Sequence, residues 1–119
     1  TSRDFCYVAN AIQANLRAAL TQNPDALNQV YNVAVGDQMT LNELFKLLQT
    51  KLTAEVTLLD AKDPTYRDFR AGDVRHSKAD ISKATQLLGY TPTHAVREGI
   101  ADSLRWYLDN TPVTTVTRA

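Results

Sequence analysis

The residues best suited to chemistry fall in one run, Tyr66-Arg67-Asp68-Phe69-Arg70-Ala71-Gly72-Asp73-Val74-Arg75-His76-Ser77, which follows Pro64. An arginine fork offers parallel N–H donors that match phosphate oxygens. A glycine lets backbone come close to a ligand, and a carboxylate accepts hydrogen bonds from sugar hydroxyls. Arg70, Gly72 and Asp73 together therefore suit a loop that meets an anionic, hydroxyl-bearing ligand. The same charges also suit a solvated surface loop, and the run alone leaves both readings open.

Other chemistries find less footing. His76 and His94 are the two histidines, eighteen positions apart, and neither has a Cys, His or Glu grouping beside it, so no metal site is expected. Gly36, Gly72, Gly89 and Gly99 are the four glycines; none is spaced from another as a phosphate-cradling loop requires. A G-x-S-x-G nucleophile elbow is absent.

Composition narrows the class further. With 119 residues the chain is one domain or part of one. Its 13 basic and 13 acidic residues cancel, which speaks against nucleic acid or an anionic membrane as partner. The single cysteine, Cys6, lies in the apolar run Phe5-Cys6-Tyr7-Val8 and reads as a buried structural thiol. One free cysteine fits a reducing compartment, and a cytoplasmic setting is expected. No apolar run reaches membrane-spanning length, and no signal-peptide pattern stands at the start. The chain opens on Thr1 and its one methionine is Met39, so it reads as a processed product or a fragment of something longer.

The elements that would position the charged run can be read in order. Residues 3–8 are rich in strand formers. Asn10 is a candidate N-cap for a helix to about Thr21, with Ile12, Leu16, Ala19 and Leu20 as its core stripe. Residues 30–35 form an apolar run that fits a strand buried on both faces. Thr40-Leu41-Asn42-Glu43 is a capping box ahead of a helix with Leu41, Leu44, Phe45, Leu48 and Leu52 along one side. Residues 55–59 read as a strand and residues 74–78 as extended chain. Asp80 caps a short helix carrying Ile81, Ala84, Leu87 and Leu88, and Gly89 stops it in the left-handed region. A turn at residues 90–93 leads to a last helix over 96–109, with Val96, Ile100, Leu104, Tyr107 and Leu108 on one side. Residues 110–119 are expected to be a flexible tail.

In this order the motifs resemble the C-terminal part of extended short-chain dehydrogenase/reductases that act on nucleotide sugars. The group they are most similar to is the bacterial UDP-N-acetylglucosamine 4-epimerases of surface-polysaccharide pathways. The resemblance rests on Ser2-Arg3-Asp4-Phe5-Cys6-Tyr7-Val8-Ala9-Asn10, Val30-Tyr31-Asn32-Val33-Ala34-Val35-Gly36 and Thr40-Leu41-Asn42-Glu43-Leu44. It continues through Gly72-Asp73-Val74-Arg75-His76-Ser77-Lys78-Ala79-Asp80-Ile81-Ser82-Lys83-Ala84, Leu87-Leu88-Gly89-Tyr90-Thr91-Pro92, Arg97-Glu98-Gly99-Ile100 and Trp106-Tyr107. It implies an α/β fold, the C-terminal substrate-domain portion of an extended epimerase, with short strands alternating with helices and the Rossmann domain absent. Residues 1–109 would be that partial nucleotide-sugar epimerase domain.

By the same resemblance Arg3 and Arg70 are similar to the two arginines that contact the UDP diphosphate, and Asp73 to the acid that accepts from the uridine ribose. Arg75 is expected in an ion pair within the fold. Ala9 and Ala95 stand where family helices often carry an acid and a serine, departures that touch capping. The family holds NAD in an N-terminal Rossmann domain and removes a proton with a Tyr-x-x-x-Lys tyrosine. Here Tyr7, Tyr31, Tyr66, Tyr90 and Tyr107 are followed four residues on by Ala11, Val35, Arg70, His94 and Thr111, so no lysine completes the pair. The chain is therefore expected to carry no catalytic residues and no cofactor of its own, and to be inactive alone. Its expected ligands are UDP, UDP-GlcNAc or UDP-GalNAc, held weakly. A homodimer, formed through the open edge of the 30–35 strand, or a separate Rossmann-domain partner is expected. Two alternatives stay open: a non-catalytic oligomerising or interaction module, and a truncated mobile-gene product without enzymatic role.

Overall fold

A computed structural model describes residues 1–57, 62–111 and 117–118. The order is β1 (Ser2–Arg3), α1 (Val8–Leu20), a 3-10 turn (Pro24–Ala26), β2 (Met39–Thr40), α2 (Leu41–Glu55), β3 (Val56–Thr57), α3 (Ser82–Leu88), α4 (Val96–Asn110) and β4 (Thr117–Arg118). Short strands do alternate with helices. β1 pairs antiparallel with β2, Ser2 opposite Thr40 and Arg3 opposite Met39, and β3 pairs antiparallel with β4. Residues 58–59 of the strand expected over 55–59, and residues 112–116 and 119 of the expected tail, lie outside the described residues.

Local signals set the start of α2 and the end of α3. The Thr40 hydroxyl accepts from the Glu43 amide at 3.1 Å, and the Glu43 carboxylate accepts from the Thr40 amide at 2.8 Å. The hydrogen bond from the Thr40 backbone, and then the one from its hydroxyl, hold the Glu43 carboxyl below its ordinary value. Asp80, expected as the cap of α3, stands one residue ahead of it: Ile81 holds the cap position without a side-chain bond, and Asp80 accepts from the Ser82 amide at 2.9 Å. Gly89 closes α3 at φ 64°, and the Tyr90 amide donates back to the Ala84 carbonyl at 3.2 Å. α4 starts at Ala95 without a side-chain cap.

Several expectations change. The strand expected over residues 3–8 is only two residues long, because Asp4 turns its carboxylate inward to other loops and Tyr7 already precedes the helix. Asn10 is not an N-cap. It is fully buried inside α1, where its Oδ1 accepts from the Thr93 and His94 amides at 2.9 and 3.1 Å and its Nδ2 donates to the His94 carbonyl at 2.7 Å. Residues 30–35 are not a buried strand: they join no ladder among the described residues, and Val30 is 86% exposed. Cys6 is exposed rather than buried; desolvation, then the Asp4 charge, push its thiol above its ordinary value, which keeps the nucleophilic thiolate scarce at neutral pH.

The Cα atoms span 55 × 36 × 18 Å. α1 packs on α3 and α2 on α4. The core centres on Ala14, Ala84 and Tyr90, with Tyr31, Val33 and Ile81 against it. Tyr90, read from sequence as a turn residue, is fully buried and donates its hydroxyl to the Ala34 carbonyl at 2.7 Å. Ile12, Leu16 and Leu20, expected in the core, point outward, as does Tyr107 on α4.

Candidate functional site

β1 is the pivot of the site. One edge of it pairs with β2. On the other, the Ser2 amide donates to the Arg75 carbonyl at 2.8 Å and the Ser77 amide donates to the Ser2 carbonyl at 3.2 Å, a parallel bridge to His76. The Ser2 hydroxyl meets His76 Nδ1 at 2.8 Å. The extended stretch expected over 74–78 is thus the third member of a minimal three-stranded arrangement. It brings residues more than seventy positions apart into contact.

Asp4, directly after β1, fixes this arrangement. Its Oδ1 accepts from the Val35 amide at 3.0 Å, and its Oδ2 accepts from Gly36 at 2.9 Å and from Ala79 at 3.3 Å. One carboxylate therefore ties β1 to two loops whose amides have no strand partner, and hydrogen bonds to a charged acceptor are among the stronger ones. Sequence reasoning assigned Asp4 no role, since its partners lie 31, 32 and 75 positions away.

The charged run then closes over β1. Gly72 has φ 80° and is the third residue of a turn in which the Asp73 amide donates to the Arg70 carbonyl at 3.3 Å. A positive φ at this position favours glycine, and the turn swings Asp73 toward Arg3. The Arg3 Nη2 donates to Asp73 Oδ1 at 2.7 Å, while Nη1 donates to the carbonyls of Ser2 at 2.8 Å and Arg75 at 3.3 Å. The Arg70 guanidinium is 4.0 Å from Asp73 Oδ2, and its side chain is 88% exposed. Arg3, Arg70 and Asp73 share one open depression with Thr1, Leu41, Arg67, Asp68 and Phe69.

Each group has spare capacity of a different kind. A guanidinium carries five N–H donors, and Arg3 spends three contacts on holding its own loop. Arg70 turns nearly its whole fork to solvent. Asp73 gives Oδ1 to Arg3, and Oδ2 has only the distant Arg70 beside it among the described residues. The depression therefore offers cationic donors beside a carboxylate acceptor, a match for a ligand that is anionic at one point and hydroxylated at the next. The ion pair expected for Arg75 is instead a cation–π contact among the described residues: its guanidinium lies over the Phe69 ring, 4.8 Å from the centroid.

Proton-transfer chemistry finds no support in Tyr90. Burial pushes its phenol up to about 12, the opposite of what a proton-abstracting tyrosine needs near neutral pH. The left-handed glycines Gly36, Gly72 and Gly89 are widely separated along the chain.

No family model matches the chain. It is 30% identical over 106 residues to the UDP-glucose 4-epimerase of Mycolicibacterium smegmatis, a match that covers 89% of this chain and 31% of that protein. It is 37% identical over 82 residues to the dTDP-glucose 4,6-dehydratase of Streptomyces antibioticus, covering 69% of this chain and 23% of the dehydratase. Among solved structures, the UDP-glucose 4-epimerase of Thermotoga maritima, crystallised with UDP-glucose, superposes with a TM-score of 0.78 at 32% identity, covering 93% of this chain and 33% of the other. The chain thus spans about a third or less of the relatives it matches. It is homologous to the C-terminal portion of epimerases of the short-chain dehydrogenase/reductase type and shares the small α/β fold of that portion.

Proposed function

We propose that the chain is the C-terminal, nucleotide-sugar-binding portion of an NAD-dependent UDP-sugar 4-epimerase, and that alone it turns nothing over. One observation carries this reading: Arg3 and Arg70 converge on Asp73 in a single depression. In this reading Arg70 and the uncommitted donors of Arg3 take the diphosphate, and Asp73 Oδ2 takes a ribose hydroxyl. The motifs favour UDP-N-acetylglucosamine and its C4 epimer as the sugars, in polysaccharide synthesis. A cytoplasmic setting fits the lone cysteine; no helix among the described residues is long and apolar enough to cross a membrane.

Only part of a ligand is engaged by three side chains, so the expected Kd for UDP is about millimolar. Isothermal titration with UDP and UDP-GlcNAc tests this. Saturable binding near millimolar is expected, with no epimer formed on addition of NAD. Absence of saturation, or turnover by the chain alone, contradicts the proposal.

A second reading, an association module, is favoured by α1. Val8, Ile12, Leu16 and Leu20 recur every fourth residue and are 59, 52, 56 and 74% exposed. An apolar stripe of this kind drives association, either with a second copy or with a separate Rossmann-domain chain. The stripe replaces the strand edge that residues 30–35 do not provide. Sedimentation at tens of micromolar is expected to show a dimer that Leu16→Glu converts to monomer; a monomeric parent chain removes self-association from this reading.

A further inference from the structure

We infer that the Thr93 hydroxyl is a proton-operated relay: it donates to His94 when the imidazole is neutral and turns to Asn10 when the imidazole is protonated. The groups involved lie outside the Arg3–Arg70–Asp73 depression, where the start of α1, the stretch before α4 and α4 itself meet. Thr93 Oγ1 stands 2.8 Å from His94 Nδ1 and 3.2 Å from Asn10 Oδ1. A hydroxyl has one hydrogen to donate, so it serves one of the two at a time. Asn10 is fully buried, and its Oδ1 already accepts from the Thr93 and His94 amides. The hydroxyl is a third, optional donor to it.

The other ring nitrogen decides where the hydroxyl points. His94 Nε2 lies 3.4 Å from Asp102 Oδ2 on α4. An ionised carboxylate only accepts, and a neutral imidazole carries one N–H and one bare lone pair. Asp102 therefore holds the N–H of the neutral ring on Nε2, Nδ1 is left bare, and Thr93 supplies the hydrogen there. A protonated ring has an N–H on both nitrogens. Nδ1 then donates to Thr93 Oγ1, and the hydroxyl turns its hydrogen onto Asn10 Oδ1. The proton on Nδ1 comes from solvent, to which the His94 side chain is 28% exposed; the Thr93 O–H bond rotates and does not break.

The ring is held in this geometry. Tyr7 packs on it with 4.9 Å between centroids, and Tyr7 is in turn pressed on Gly99 of α4, where an added Cβ would lie 2.7 Å from its Cβ and Cγ. The imidazole thus faces Asp102 from α4 and the Tyr7 phenol from the segment before α1. α1 brings no acid in its first turn. Of the charged residues at the start of α4, Arg97 acts on Glu43 of α2, and Glu98 makes no ion pair with His94 among the described residues. Imidazole changes charge between about pH 5 and 8, so the bonds to Asn10, which ties α1 to the stretch before α4, follow pH across that range.

The test is NMR of the full chain over about pH 5 to 8, with ring nitrogen shifts reading the tautomer and the Asn10 side-chain NH2 as reporter. The neutral ring of the parent is expected to carry its N–H on Nε2, and Asp102→Asn to admit the other tautomer. The Asn10 NH2 signals are expected to move together with the His94 ring protons. Thr93→Val is expected to abolish the Asn10 movement while the ring still titrates, and Thr93→Ser to retain it. A parent whose neutral ring carries the N–H on Nδ1 overturns the relay, since Thr93 then never has to turn, and this is read without any variant. Asn10 signals that stay flat while His94 titrates overturn it as well, as do signals that still move in Thr93→Val.

Discussion

Asp4→Ala is expected to destabilise the chain by about 3 kcal/mol, because it removes a charged acceptor from three backbone amides at once. None of those amides has a strand partner that could replace the carboxylate. The loss falls where β1, the 35–36 loop and the chain before α3 meet, so the placement of Arg3 opposite Asp73 goes with it. Asp4→Asn is expected to fall between the parent and the alanine variant. Its amide oxygen can serve Gly36 and Ala79, but its NH2 group then opposes the Val35 amide, donor against donor. Urea unfolding followed by far-UV circular dichroism reads both variants. An unchanged midpoint for Asp4→Ala would show that the three bonds are not what holds the site in place.

Tyr90→Ala is expected to cost about 4 kcal/mol, the scale for emptying a buried aromatic site. Tyr90 is fully buried against Ala14 and Ala84. Tyr90→Phe separates the ring from the hydroxyl. It loses the bond to the Ala34 carbonyl and is expected to cost about 1 kcal/mol. The hydroxyl also leaves a pH signature. The folded phenol is pushed from its ordinary 10.0 up to about 12, chiefly by burial, so folding favours the protonated form. Its contribution is full below pH 10.0 and is lost as pH climbs toward about 12. Thermal unfolding across that window is expected to show a fall in midpoint that Tyr90→Phe reduces; identical alkaline profiles would remove Tyr90 as its source.

These two residues mark what a sequence can and cannot carry. Features decided within a few residues were legible: the Thr40–Glu43 box and the Gly89 stop. Each is a bond between neighbours, and residue type with spacing is enough to specify it. Asp4, Asn10 and Tyr90 act on groups 31 to 84 positions away, and nothing local announces such partners. Residues 30–35 looked like a buried strand because they are apolar, yet an apolar run does not say whether a neighbouring strand exists to pair with it. The stripe on α1 was legible as a stripe; that it faces outward depends on which side of the helix α3 covers.

The site divides the same way. Arg3, Arg70 and Asp73 could be named from their motifs, and the structure brings all three together. The direct bond from Arg3 to Asp73, the bracing of Phe69 by Arg75 and the entry of Arg67 and Asp68 into the same depression follow from the pairing of β1 with residues 75–77, which the motifs do not encode. That pairing also explains why Arg3 is the anchored member and Arg70 the free one. Arg3 sits on a strand with carbonyls on either side, whereas Arg70 stands at the start of an exposed turn.

The measurement closest to the central claim is an amide-resolved NMR titration of the 119-residue chain with UDP. Saturable shifts are expected at residues 2–4 and 67–76, abolished by Arg3→Gln and weakened by Arg70→Gln and Asp73→Asn. Shifts confined to other surfaces, or a response that survives all three substitutions, would contradict the assignment of this depression as a nucleotide site.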